Sequence, residues 1–357
     1  MVTMGDAPQS EQFPLYYLIT YPRTCSNLLV RMLALDEQPS VLPNREGAGY
    51  FFMPNFKLAF DEGLWSKHVD ELSEEEAAKM KQSQQSCADT FGQHVAKARS
   101  QGKGVLVKEH ATMMPNPVSL TKYRYGPEST TQQPSDWSVD PGPEAFNEKM
   151  AGVQSDGNVT FLPDRFLRAW KPIFLIRSPV AAFPSFYRAS AELDFLNKGD
   201  VIPTFLTLHW NRTLYDWFKE QSATTTTAHN GNAHKDEDAS WPVVLDADDI
   251  MTEPGVLLRL CEITGLDATK LRYSWDQANK EKMENMNPME KRMLSSLLAS
   301  SGIDKSKTAA SLNIETEARK WREEFGEERG AILEKYVRDA MPNYEYLKSK
   351  RLRPVAQ

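Results

Sequence analysis

Cysteine is scarce: three in 357 residues, Cys25, Cys87 and Cys261. So sparse and odd a set excludes a disulfide framework and suits a chain kept in a reducing compartment. No Cys or His pair stands at zinc-ligand spacing, so no metal site is expected. Nowhere do 18 or more apolar residues run together, which excludes a membrane-spanning helix of the usual kind. Residues 1–14 lack both the basic and the apolar stretch of a leader. The expectation is a soluble, cytoplasmic protein. Positive charge is also in deficit, with 42 Lys and Arg against 49 Asp and Glu and a formal net charge of −7. That balance argues against nonspecific nucleic-acid binding, so any anion site must be a local pocket of cations. There is no internal repeat, and no G-x-x-x-x-G-K-[ST] loop of the kind that hydrolyses nucleoside triphosphates with magnesium.

What the chain does contain is concentrated in three short segments. In the first, Leu15 to Thr20 is an apolar, aromatic and β-branched run that breaks at Tyr21-Pro22. The polar loop Arg23-Thr24-Cys25-Ser26-Asn27 follows, and an amphipathic helix is expected from about Leu28. A strand that turns through a tight polar loop into a helix N-terminus presents backbone N–H groups and the positive end of the helix dipole to an anion. Arg23 adds charge, and the hydroxyls of Thr24 and Ser26 add donors. Read alone, the same loop could be an ordinary strand-to-helix turn capped by Ser26 or Thr24.

In the second segment, Val105 to Val107 reads as a buried strand with Lys108 and His110 just past its end. Residues two apart on an extended chain point to the same side, so Lys108 and His110 can reach one cavity. A neighbouring ammonium favours the neutral imidazole, which suits a general base. In the third, Pro172 to Ile176 is another apolar strand with Arg177 at its carboxyl end. Pro179 is placed to open a helix, Pro184 is expected to kink or interrupt it, and Ser185 lies on it. Arg177 offers a bidentate contact to phosphate and Ser185 a hydroxyl. All three segments place polar groups where open α/β sheets bind ligands, outside the carboxyl ends of the strands.

Together, these segments resemble the sulfotransferase family that uses 3′-phosphoadenosine 5′-phosphosulfate (PAPS). Tyr21-Pro22-Arg23-Thr24-Cys25-Ser26 is similar to its 5′-phosphosulfate loop, with Cys25 standing where the family has glycine. Lys108-Glu109-His110 is similar to its K-x-H segment, and Arg177, Pro179 and Ser185 to its 3′-phosphate segment. Trp241 to Leu266 resembles the family's late strand, acidic turn and helix. The resemblance covers about residues 13 to 270. It implies a three-layer α/β/α fold with a mostly parallel central sheet, P-loop NTPase-like. It further implies PAPS as cofactor, held by Arg23, Thr24, Cys25, Ser26, Asn27, Arg177 and Ser185. His110 would be the base, with Lys108 and Arg23 neutralising the transferring sulfuryl group, and the acceptor would be a small molecule bearing a hydroxyl.

Two departures stand beside the likeness. Leu28 sits where many relatives carry a tryptophan, and no R-K-G segment follows later in the chain, leaving Lys305, Lys307, Arg319 and Arg322 as stand-ins. They keep a second reading open, a non-catalytic relative that binds a nucleotide or a partner. A third, a nucleotide kinase or hydrolase, is opposed by the missing Walker lysine.

The whole chain, 1–357, reads as one such domain. Residues 123–157 and 221–240 are expected to be loop insertions, rich in Pro, Gly, Ser and Thr, and the second carries His229 and His234. Ser73 and Glu76 are set as a capping box for a helix over 73–102, and 203–221 has helical periodicity. Residues 276–350 read as charged helices with a solvated face. Residues 45–65 concentrate Tyr50, Phe51, Phe52, Met53, Phe56, Phe60 and Trp65, readable as an acceptor wall or as core. No segment signals an oligomeric state.

Overall fold

The computed structural model describes residues 13–44, 49–142, 154–192, 201–226, 241–277 and 286–354. Four parallel strands form one sheet in the order β2-β1-β3-β4: β1 Leu15–Thr20, β2 Val105–His110, β3 Lys171–Ile176 and β4 Val243–Asp246. Every residue of β1, β2 and β4 is buried, as expected for a parallel sheet covered on both faces.

The alternation of strand side chains divides the interior in two. Leu15, Tyr17 and Ile19 join one core with Phe91, Phe183, Trp217 and Leu333. Tyr16 and Leu18 join the other with Leu29, Met32, Leu257 and Leu260. Helix α1 (Ser26–Met32) and helix Pro254–Thr264 thus cover one face. The other is covered by α2 (Met53–Asp61), α3 (Glu74–Ser100) and helices Pro179–Glu192, His209–Thr226 and Glu327–Ser349. The layering is α/β/α, as the three motifs implied.

Local expectations met mixed outcomes. The capping box at α3 forms as read, with Ser73 accepting from the Glu76 N–H and Glu76 accepting from the Ser73 N–H. Helix α1 starts at Ser26, two residues before Leu28, because Cys25 already turns the chain into helical register. Pro184 does not interrupt helix Pro179–Glu192, which runs on through it. The periodic stretch 203–221 is two helices, Ile202–Phe205 and His209–Thr226. The first insertion opens inside helix α4 (Pro117–Tyr125) and contains a 3-10 turn, Pro134–Trp137, while 143–153 lie outside the described residues. The second opens within helix His209–Thr226; 227–240, with both histidines, lie outside the described residues.

The C-terminal region is helical at Pro288–Leu298, Ile314–Phe325 and Glu327–Ser349. Among the described residues no helix is long and apolar enough to cross a membrane. No group of three or more metal-ligating side chains occurs among them either.

Candidate active site

Adjacent strands in register deliver the site. In the β1–β2 pairing Thr20 stands opposite His110 and Leu18 opposite Lys108. Strand β2 is longer than expected: Lys108 and His110 are within it, not beyond it, and extended geometry at 108–110 puts both on one face. Glu109, between them, points to the other face.

The loop after β1 is bent by two residues in the left-handed region, Arg23 at φ 67 and Cys25 at φ 64. Cys25 therefore keeps the backbone that a glycine would supply, at a conformational cost of about 1–3 kcal/mol. A Cβ tolerates that region far less well than a hydrogen, so the surrounding structure must hold it there. Thr24 turns away from the role expected of it. Its hydroxyl donates to the Tyr21 carbonyl at 2.7 Å, closing the turn, and is fully buried. Ser26 opens α1, buried beneath the loop.

Three cations gather here. Lys108 Nζ donates to Asn27 Oδ1 at 2.5 Å and lies 4.5 Å from the centre of the Tyr50 ring. Arg23 donates from Nε to Ser185 Oγ at 2.9 Å and from a terminal nitrogen to the Met293 carbonyl at 2.6 Å. Arg177 donates to the carbonyl of Arg23 at 3.0 Å and to that of Lys307 at 2.6 Å, while its buried Nε has no partner. Among the described residues, no carboxylate hydrogen-bonds any of the three. Burial, then the neighbouring Arg292, holds the Arg23 guanidinium below its ordinary pKa, with Arg177 adding to the repulsion. Burial likewise pulls Lys108 down to about 7. The cluster is of like charge and partly desolvated, and its nearby carboxyl, Glu109, acts on Lys108 without hydrogen-bonding to it.

His110 is buried beside this cluster. Thr20 Oγ1 lies 3.1 Å from the Glu109 carbonyl oxygen and 2.6 Å from His110 Nδ1. With the hydroxyl proton given to the carbonyl, Nδ1 carries the ring proton and Nε2 the lone pair. Burial holds the imidazole well below its usual pKa, and Lys108 and Arg23 reinforce this, so it is neutral at neutral pH. Nε2 faces the Tyr50 hydroxyl at 3.1 Å.

Of the nine residues read as site residues, the structure brings Arg23, Cys25, Ser26, Asn27, Lys108, His110, Arg177 and Ser185 to one end of the sheet. Ser185 meets the guanidinium of Arg23, and Thr24 serves the turn. Of the four candidate stand-ins, Lys307 reaches the cluster, through its carbonyl on Arg177. Arg322 is committed to Glu327 and Glu334 on the surface. The reading of the sequence missed Thr20, Arg292 and the part played by Glu109. Glu109 Oε1 accepts the Phe52 N–H at 3.4 Å, and burial pushes its carboxyl up to about 8. A carboxylate between Lys108 and His110 in a fully buried strand was the signal available for it.

The aromatic stretch divides between its two readings. Phe52, Phe56, Phe60 and Trp65 are core. Tyr50 and Phe51, with Leu42, Leu58, Cys87 and His94, line an open cavity of about 810 Å³ between this segment and α3.

No protein-family model matches the chain. It is similar to the sulfotransferase ppzF of Metarhizium rileyi, 38% identical over 341 residues that span 95% of this chain and 96% of that one. It is equally similar to the sulfotransferase ppzF of Metarhizium majus, 37% identical over 343 residues with the same coverage. Among solved structures, the sulfotransferase domain of the Synechococcus PCC 7002 olefin synthase aligns over 86% of this chain and 91% of that one. That alignment has 14% identity and a TM-score of 0.38.

Proposed function

The chain belongs to the sulfotransferase family, and we propose that it moves a sulfuryl group from PAPS to a hydroxyl of a small apolar or aromatic acceptor, with His110 as general base. The observation that carries this is the cluster of Arg23, Lys108 and Arg177 around the N-terminus of α1, with no carboxylate among the described residues hydrogen-bonded to any of them.

The donor set fits a phosphorylated, sulfated nucleotide. The loop's N–H groups, Ser26, Asn27, Arg23 and Lys108 would hold the 5′-phosphosulfate end. Arg177, whose Nε is unpartnered, and Ser185 would hold the 3′-phosphate. PAPS supplies the transferable sulfuryl group on a good leaving group. The chain's residues do the rest. His110 Nε2 takes the proton from the acceptor hydroxyl, because Thr20 fixes the proton on Nδ1. Lys108 and Arg23 carry positive charge to where negative charge develops, already in place and largely out of water. The cavity beside Tyr50 would receive the acceptor's body. We also take the protein to act in the cytoplasm as a single-domain enzyme without a metal; three free cysteines are consistent with a reducing compartment.

The test is calorimetric binding of 3′,5′-adenosine bisphosphate, the by-product of such a transfer. Micromolar binding to the wild type, lost in Arg177→Ala, is expected. Absence of binding by the wild type would overturn the cofactor assignment.

A further inference from the structure

Tyr50 is held in a conformation that its own backbone resists. Its φ is 66, in the left-handed region, where a bulky side chain is a genuine outlier. Such strain persists only where the surroundings over-determine it. Here they do. The Tyr50 N–H donates to the Lys108 carbonyl at 2.8 Å, docking the segment on the outer edge of β2. Gly49, just before it, lies so close to that strand that a Cβ would stand 1.8 Å from the Lys108 carbonyl oxygen. After it, Phe51 stacks on Phe91 with ring centres 4.6 Å apart, and Glu109 takes the Phe52 N–H.

This backbone delivers the phenol to one place. Its hydroxyl lies in hydrogen-bond contact with His110 Nε2 at 3.1 Å, and Ser26 and Asn27 stand beside it. The Lys108 ammonium lies over its ring. On the sulfotransferase reading, these are the groups that an acceptor oxygen must meet: the base, the loop and the charge-neutralising lysine. The phenol lines the 810 Å³ cavity, whereas His110, Ser26 and Asn27 do not. Tyr50 thus stands between that cavity and the base.

We propose that Tyr50 governs acceptor entry: its phenol occupies the seat of the acceptor hydroxyl on His110, and an acceptor reaches the base by displacing it. The inference rests on the proposed function above for its kinetic consequence but not for its chemical one. Displacement exchanges one hydroxyl contact at Nε2 for another. An acceptor too small to displace the ring, water included, is kept from the base, which protects the bound donor from hydrolysis.

Two measurements test it on the full-length protein, with Tyr50→Phe as the conservative variant and Tyr50→Ala as the open one. The first is independent of turnover: carbethoxylation of His110 by diethyl pyrocarbonate, followed by peptide mass mapping, with His68 as an internal control. The reagent attacks the free lone pair, so His110 should react about tenfold faster in both variants, the scale of one lost hydrogen bond, while His68 is unchanged. Equal His110 rates in the wild type and both variants would overturn the proposal. The second measures 2-naphthol as probe acceptor with PAPS. Tyr50→Phe should lower its KM severalfold with kcat retained, and Tyr50→Ala should raise acceptor-free release of sulfate from PAPS. A tenfold loss of kcat in Tyr50→Phe at unchanged KM would overturn it, since Tyr50 would then relay the proton. Failure of the wild type to bind the bisphosphate would strike the sulfotransferase reading alone and leave the carbethoxylation result to judge Tyr50.

Discussion

Two groups of basic residues in this molecule behave in opposite ways. On the C-terminal helices, Arg338 pairs with Glu334 and Glu315, Arg322 with Glu334 and Glu327, and Lys335 with Asp339. At the end of the sheet, Arg23, Lys108 and Arg177 bond to a serine, an asparagine and backbone carbonyls. Carboxylates are abundant in this acidic chain, so the lack of any hydrogen-bonded to one cluster, among the described residues, is informative. Paired, exposed charges raise solubility and contribute little stability. At the sheet's end, burial lowers the pKa of Arg23 and Lys108, and for Arg23 the neighbouring Arg292 and Arg177 add to it.

The contrast can be broken most severely at His110. His110→Ala should cut turnover by about 100- to 10,000-fold, the usual worth of a general base, and leave bisphosphate binding nearly intact. Steady-state kinetics beside calorimetry would check this, and normal turnover would end the base assignment. Next comes the cluster itself. Arg23→Met should weaken bisphosphate binding by about ten- to a hundredfold, since a hydrogen bond to a charged group is worth about 1.5–3 kcal/mol.

A smaller effect concerns pH. Lys108, pulled down to about 7, is mostly uncharged in the free protein at pH 8 and mostly charged at pH 6. A bound anion favours the ammonium, so binding at pH 8 should take up as much as about one proton, and binding at pH 6 little. Calorimetry in buffers of different ionisation enthalpy measures that uptake, and Lys108→Met should abolish it. The smallest effect lies on the other side of the contrast. Arg338→Ala should change neither bisphosphate affinity nor the thermal midpoint measurably, because its partners are solvated.

Much of the site was legible because short-range chemistry specifies it. A strand, a polar loop and a helix N-terminus must lie in sequence, so Arg23 to Asn27 could be read directly. Lys108 and His110 follow from the two-residue repeat of an extended chain. The roles of Thr20 and Tyr50 were not legible. Thr20 sets the tautomer of His110 only because β1 and β2 pair in parallel with those two residues opposite each other. Tyr50 sat in an aromatic run, and nothing in its neighbours says which ring turns toward the base and which enter the core. The hydroxyl of Thr24 was open to two readings for a related reason, since in a tight loop it serves equally to close the turn, as its bond to the Tyr21 carbonyl does, or to meet a ligand.

The amino-acid sequence by itself determined the strands, the capped helix α3, the phosphate-type loop and the inventory of cations, because each depends on residues within a few positions of one another. Tertiary structure alone decided which basic side chains bond to carboxylates and which do not, and which side chains meet the two nitrogens of His110. Those are properties of contacts between segments tens to hundreds of residues apart. They come into being when the register of the sheet and the packing on its two faces bring those segments together.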